Sequence, residues 1–309
     1  MITNFTQLLE HVRAGSPMRL IGVAAEDDAT ILAMYEAEKE GLITPVLVGN
    51  QEKIQAVLQK HQLQFANAEF IQADTFEQSA AVSVELIRQK RGDVLMKGLL
   101  DTSIFLKAIV NKQTGLPIHG LLSHVMVFSV PAHYPKLILT SDGGMVLYPD
   151  LEQKKHILHN SLLVAKALEI SHPMVAVLCA KEKVNPKMPA TVDAAALKEL
   201  ALAGEFGPDV TVEGPISMDL AFSKEHAQVK GYTSAVCGET DIVILPNIEA
   251  GNIMGKTIST LYGDSCAGVI AGCRTPIVMP SRGDTDQSKL YAIALGCAMA
   301  RVSGQTDAQ

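Results

Sequence analysis

The chain has 309 residues, 48% of them apolar and 19% charged, which suits one large α/β domain or two smaller ones and excludes a disordered segment. Its net charge of −7 argues against nucleic acid as the main partner, since affinity for a phosphate backbone needs clustered Lys and Arg. A few cations focused in one cleft can still bind a small anion inside an acidic protein. Five cysteines with no CxxC pair point to neither a disulfide framework nor a zinc site, and Cys237, Cys266 and Cys273 are expected to pack as small hydrophobes. The N-terminus lacks a charged-then-apolar leader, and apolar runs such as 292–300 are too short to span a bilayer, so no membrane contact and a cytoplasmic location are expected.

Taken in chain order, the pattern predicts a strand at 19–24, a helix at 28–40, a strand at 45–48 and helices at 51–59 and 76–90. A strand at 93–96, a helix at 102–110, a strand at 136–140 and a helix at 150–169 follow. The remainder reads as strand 174–178, helix 192–203, strands 210–213 and 241–245, helix 252–262, strand 276–279 and helix 285–301. Runs of Val, Ile and Leu bounded by Gly, Pro and Asp indicate strands buried on both faces, the pattern of a mainly parallel sheet covered by helices. So many units exceed one doubly wound domain, and two sheets are expected. No linker, repeat or charge block marks a boundary, which favours a chain that crosses between domains twice.

Open α/β sheets bind ligands beyond the carboxyl ends of their strands, so the loops after the strands are the places to look. After 93–96 come Lys97, Gly98 and, at a helix start, Asp101 and Thr102. A Lys at a strand end, then Gly, then hydroxyls suits an anion; a plain helix cap by Asp101 or Thr102 explains part of the pattern equally well. After 174–178, the segment Val184–Thr191 contains two prolines and presents Asn185, Lys187 and Thr191 as a stiff polar wall, or as an ordinary connection capped by Thr191. After 241–245, Ala250–Thr257 approaches the phosphate-cradling GxxxxGK[ST] loop, but Ala250 stands where its first Gly is needed. Gly251, Asn252 and Lys256 at a helix start still favour an anion. After 276–279, Arg282 offers a planar fork of donors matched to phosphate, Ser281 adds a hydroxyl, Gly283 permits close approach, and Asp284 is placed to cap the final helix. No GxGxxG follows the first strand, no GxSxG elbow supports a hydrolase triad, and His156 and His159 share a helix face without a carboxylate ligand motif.

Lys97-Gly98 with Thr102, the run Asn185 to Ala195 (NPKMPATVDAA), Gly214-Pro215 with Asp219, Ile248 to Asn252 with Lys256, and Ser281-Arg282 together resemble the phosphate acetyl/butyryltransferase family, in order and over nearly the whole chain. The NPKMPATVDAA run and the short length are closer to the butyryl branch. The resemblance implies two three-layer α/β/α domains with a cleft between them, akin to the isocitrate/isopropylmalate dehydrogenase architecture. It implies a split first domain of about 1–121 plus 276–309, a second of about 122–275, and a homodimer. It further implies that acyl-CoA and phosphate exchange an acyl group, giving acyl phosphate and CoA. Arg282 would hold phosphate and Ser281 would steady the reacting centre, with Gly251, Asn252 and Lys256 beside CoA and the acyl phosphate.

In the acetyl branch an Asp follows the motif serine by seven positions; here that position is Ser288, so the base assignment does not carry over. Asp286 is the better remaining candidate, since Asp284 is expected to be used as the cap. No cysteine lies in the four loops, so direct attack in a ternary complex is expected, with coenzyme A as substrate, no bound cofactor and no metal. The alternatives are an enzyme with acetyl preference, a non-catalytic CoA- or acyl-phosphate-binding protein, and a metal-dependent hydroxyacid dehydrogenase; the missing Asp cluster weighs against the last.

Overall fold

A computed structural model describes the chain except Gly263, Asp264, Arg282 and 307–309, and gives only the helical backbone of 304–306. The N-terminal part runs α1 (Phe5–Arg13), β1 (Met18–Val23), α2 (Asp28–Lys39), β2 (Ile43–Gly49), α3 (Gln51–His61), β3 (Glu69–Gln72), α4 (Phe76–Arg88), β4 (Val94–Lys97) and α5 (Thr102–Ile109). It continues through β5 (Ile118–Ser129), β6 (Leu137–Ser141), α6 (Leu151–Ala167), β7 (Met174–Leu178), α7 (Pro189–Leu202), β8 (Thr211–Ile216), α8 (Met218–Phe222) and α9 (Lys224–Val229). The last elements are β9 (Ile242–Ile244), α10 (Ile248–Thr257) with a π-helical turn (Ile258–Tyr262), β10 (Cys266–Cys273), β11 (Ile277–Val278) and α11 (Asp286–Thr306).

These elements form two compact units. The first comprises Phe5–His119 and Ala267–Gln309. Its strands lie in the order β3-β2-β1-β4-β11-β10, all parallel except β10, which runs antiparallel to β11. Leu20, Ile21, Leu47, Leu95 and Met96 are fully buried, as expected of strands covered on both faces. The final helix α11 closes this unit by packing on α1 and α2. The rings of Phe5 and Tyr291 stack with centroids 4.3 Å apart. The Arg301 guanidinium donates to the carbonyls of His11 and Val12, acceptors that the end of α1 leaves open, and to that of Ser16 beyond it.

The second unit comprises Met1–Asn4 and Gly120–Cys266, with strand order β5-β6-β9-β7-β8 and only β5 antiparallel to its neighbour. Phe128, Ile138, Ala176, Leu220 and Val243 form part of its core. The Tyr134 ring lies edge-on to Phe222, and its buried hydroxyl donates to Thr240 O at 2.8 Å. Burial, then the nearby Asp241 and Glu239, raise that phenol well above its ordinary pKa. α6 begins with a reciprocal cap in which Asp150 and Gln153 satisfy one another's backbone N–H groups.

The units differ from the expected division at three places, the smallest being Gly120 and Leu121, which belong to the second unit. The first four residues belong to the second unit, where Ile2 N–H donates to Leu168 O at 2.9 Å. Residues 267–275 belong to the first, because β10 pairs with β11 through Val269–Val278 and Ile270–Ile277. Among the described residues no helix is long and apolar enough to cross a membrane.

Candidate functional site

In the first unit the parallel register pairs Met96 with Val278. The segments that leave β4 and β11 at their carboxyl ends, Lys97–Thr102 and Ser281–Asp286, are therefore neighbours, on strands about 4.8 Å apart. Gly98 is required by contact: a Cβ there would lie 2.4 Å from Ala24 O and 2.7 Å from Val23 O, both backbone atoms. Its N–H donates to Val23 O, and that of Leu99 to Ala24 O, each at 2.9 Å, which seats the segment on the end of β1. Lys97 Nζ lies 3.2 Å from Gly98 O, so its charge is held at the strand end. Asp101 stands at the N-cap of α5 without accepting a backbone N–H, which leaves the first N–H groups of that helix, beginning at exposed Thr102, without a side-chain cap. The cap expected of Asp101 or Thr102 is absent, and the anion-binding reading keeps its donors.

Across from it, Ser281 is exposed, its backbone N–H donates to Asp284 Oδ2 at 2.7 Å, and its hydroxyl accepts from Gly283 N–H at 3.4 Å. Gly283 has open space around its Cβ direction. Arg282 lies outside the described residues. Asp284 does not cap the final helix as expected: Thr285 does, accepting from Ser288 N–H at 3.1 Å, because Asp284 is already committed to the Ser281 turn. Asp286 is the first residue of α11, its side chain 87% exposed and paired with Lys289 at 3.1 Å.

In the second unit β9 lies between β6 and β7, so the loops after these three strands share one edge. After β7, Asn185 and Thr191 brace each other: Asn185 N–H donates to Thr191 Oγ1 at 2.9 Å, and Asn185 Oδ1 accepts from Lys187 N–H at 2.9 Å. Thr191 lies inside α7 instead of capping it; the helix starts at Pro189, whose missing N–H costs nothing in a first turn. The base of α7 is fixed by an ion pair of 2.6 Å between the buried Lys154 and Asp193. Lys187 is exposed.

The segment 250–257 is not a loop. Asn247 caps α10 by accepting from Ala250 N–H at 3.0 Å, so Gly251 and Asn252 lie inside its first turns and Lys256 in its last. The open helix N-terminus expected at Gly251 is therefore three residues earlier and already capped, and the resemblance to a phosphate cradle is lost. Asn252 and Lys256, four residues apart and both exposed, share one helix face. Gly251 is needed because a Cβ would lie 2.6 Å from both Asp142 O and Gly143 Cα.

That contact reveals an element the sequence reading passed over. Asp142, 2% exposed, follows β6 directly. Its carboxylate accepts three backbone N–H groups, from His124 at 2.8 Å, Gly144 at 2.7 Å and Met145 at 2.8 Å. Asn252 Nδ2 reaches Gly143 O at 3.3 Å, tying this turn to α10. Tyr148 also hydrogen-bonds Glu249 in the first turn of α10, which raises the phenol's pKa. An Asp followed by two glycines at a strand's end was the available signal. After β8, Asp219 receives Lys230 at 2.8 Å and the Ser217 hydroxyl at 2.6 Å, which in that order hold its pKa down to about 2.

All five cysteines are free. Cys237, Cys266 and Cys273 are buried as expected. Cys179, nearest to the Asn185 loop, donates to Ala190 O at 3.3 Å, and burial pushes its thiol up to about 11. Burial likewise raises Cys273 and Cys297 to about 12. None of these three is a ready nucleophile at neutral pH.

Fold and loops thus define an α/β protein with Lys97, close-packed glycines and an uncapped helix N-terminus at the carboxyl ends of its strands, and with the Cys179 thiol nearby held in its neutral form. Residues 75–297 match the phosphate acetyl/butaryl transferase family. Phosphate butyryltransferase from Clostridium acetobutylicum is 35% identical over 300 residues, covering 97% of this chain and 99% of that one. Phosphate acetyltransferase from Rhizobium meliloti is 36% identical over 298 residues, covering 96% and 94%. The crystal structure of a branched-chain phosphotransacylase from Enterococcus faecalis superposes with a TM-score of 0.79 at 25% identity, covering 92% of this chain and 99% of that one. The chain belongs to the phosphate acetyl/butaryl transferase family.

Proposed function

We propose that the chain transfers a short acyl group between coenzyme A and inorganic phosphate, and that it prefers C4 or branched C4–C5 acyl groups to acetyl. Family membership over most of the chain carries the reaction class. In one direction a phosphate oxygen attacks the thioester carbonyl, the C–S bond breaks, and CoA leaves as the thiolate and takes a proton. In the other the thiolate attacks the acyl phosphate, a C–S bond forms, and phosphate departs with the electron pair of the C–O bond.

Lys97, the uncapped N-terminus of α5 at Thr102, and Ser281 with Arg282 are assigned to phosphate and to the charge that develops on the carbonyl oxygen. Gly98 and Gly283 let backbone approach that anion. Asn185, Lys187, Gly251, Asn252 and Lys256 are assigned to the CoA side. The high thiol pKa of Cys179 supports direct transfer between the two substrates, without an acyl-cysteine. Positioning of two substrates supplies much of the rate, so Asp286 need be no more than a weak base. The protein is assigned as a cytoplasmic homodimer, a state that light scattering in solution measures.

The relatives named butyryl- and acetyltransferase are 35% and 36% identical, so acyl preference rests on the NPKMPATVDAA run. Each methylene is worth about 1–3 kcal/mol in a pocket. A kcat/KM panel over acetyl-, propionyl-, butyryl-, isobutyryl- and isovaleryl-CoA tests it; an acetyl optimum overturns the preference and leaves the reaction class intact.

A further inference from the structure

The first unit contains a groove of about 1150 Å³ at the opposite ends of its strands from Lys97 and Ser281. It lies at the feet of β1, β4 and β11, marked by Arg19, Asp93 and Thr275, and is flanked by the ends of α4 and α5 and by Ala300–Ser303 of α11. Asp93 precedes the four residues of β4 and Lys97 is the last of them, so about 13 Å of strand separates the groove from the Lys97 end. Six cations line it: Arg19, Arg88, Lys90, Lys112, Arg274 and Arg301, of which Arg88 is paired with Glu85 at 3.1 Å and Arg301 is engaged by three backbone carbonyls. Asp93 is the one carboxylate among its described lining residues, and Arg19 already neutralises it through bonds of 3.0 and 3.2 Å. In a chain of net charge −7, this concentration of positive charge runs against the bulk composition.

Cations often gather at helix C-termini to offset the helix dipole, and Arg301 does so at the end of α1. Lys90 and Lys112 are different. The end of α4 is closed by backbone alone, with Lys90 N–H on Ile87 O at 2.9 Å and Arg91 N–H on Leu86 O at 2.8 Å. The end of α5 is closed in the same way, with Val110 N–H on Leu106 O and Leu116 N–H on Ile109 O. Neither lysine has a side-chain hydrogen bond or ion pair among the described residues. Lys90 also sits at φ 58°, in the left-handed region where Gly or Asn is the usual choice and another side chain costs about 1–2 kcal/mol.

The opposite character of the remaining lining narrows the ligand. Ile87, Val110, Leu116 and Pro117 give the groove an apolar wall. Its volume is far beyond what a single inorganic ion fills, and a water molecule's share is about 30 Å³. We propose that this groove binds a phosphorylated organic ligand of nucleotide size, its phosphates held by Lys90, Lys112 and the neighbouring arginines and its body against the apolar wall. Two sources share this chemistry: a free nucleotide, and the phosphorylated nucleotide part of coenzyme A itself.

Isothermal titration of the full chain with ATP, with CoA and with pyrophosphate tests the proposal, comparing wild type with the pair Lys90→Glu/Lys112→Glu and the milder pair Lys90→Gln/Lys112→Gln. Both lysines are exposed, so thermal melts of the variants should match wild type, and turnover in the absence of added nucleotide should be unchanged. ATP binding, or a second stoichiometric CoA site, that weakens tenfold or more in the Glu pair and less in the Gln pair supports the proposal; the arm that responds identifies the source. The proposal is overturned if neither ATP nor a second CoA binds at millimolar concentration, or if both variants bind as wild type does. It is also overturned if Lys97→Ala abolishes the binding instead, or if pyrophosphate binds as tightly as ATP, since the organic body would then contribute nothing.

Discussion

Replacing Asp142 by Asn changes one atom and should cost much of the second unit's stability. The carboxylate is 2% exposed and accepts three backbone N–H groups at 2.7–2.8 Å. An amide keeps one acceptor oxygen. If that oxygen serves Gly144 and Met145, the amide N–H₂ faces the His124 N–H, donor against donor. The lost charge-assisted bond is worth about 1.5–3 kcal/mol, and the two survivors weaken by roughly 0.5–1 kcal/mol each as the charge disappears. The sum is about 2.5–5 kcal/mol, which at about 2–4 °C per kcal/mol lowers Tm by roughly 5–20 °C. The chain has no Trp, so circular dichroism or calorimetry is the assay. Because Gly143 touches Gly251, kcat/KM should also fall at temperatures where the variant remains folded. A Tm within 2 °C of wild type would show that the carboxylate does not hold this turn.

Further consequences concern the chemistry. With a pKa of about 11, the Cys179 thiol is roughly 10⁻⁴ ionised at pH 7 against about 3% for a free cysteine, so iodoacetamide should modify it about 300-fold more slowly, the rate rising tenfold per pH unit past the point where free cysteine levels off; modification at the free-thiol rate refutes this. Arg282→Ala should lose on the order of 10²–10³ in kcat/KM, and Arg282→Lys should recover only part, because a point charge does not replace a bidentate fork; a folded, fully active Ala variant removes Arg282 from the phosphate site. Asp286→Asn should cost roughly tenfold or less at pH 7 and still less near pH 9, where the CoA thiol ionises unaided; a loss of 10³ that does not change with pH would make this carboxylate the base.

The alternation of strands and helices was legible because buried parallel strands are nearly continuous in Val, Ile and Leu. β10 was not, since CAGVIAGC is built from small residues with low strand preference and owes its place to burial. β3 is a short edge strand with little buried surface, and β5 carries His119, Gly120 and His124 within it. α1 is legible in the sequence, since Phe5, Leu8, Leu9 and Val12 form a helical stripe.

The loops at the strand ends carry the expected residue types, and Lys97–Thr102 lies beside Ser281 and Gly283–Asp286. Local sequence is ambiguous at the helix caps. Asn247 and Gly251 are both plausible starts for α10, and only the packing of Gly251 on Asp142 and Gly143 makes it an interior position. Asp284 and Thr285 can both cap α11; the demand of the Ser281 N–H decides between them. Such choices depend on partners distant in sequence, which local pattern does not carry.

The most direct test of acyl transfer to phosphate is turnover of butyryl-CoA by the purified chain, reading free thiol and hydroxylamine-trapped acyl phosphate together. The account predicts thiol release that requires phosphate and matches acyl phosphate one for one. Butyryl-CoA left intact, or thiol released without phosphate and without acyl phosphate, would contradict it.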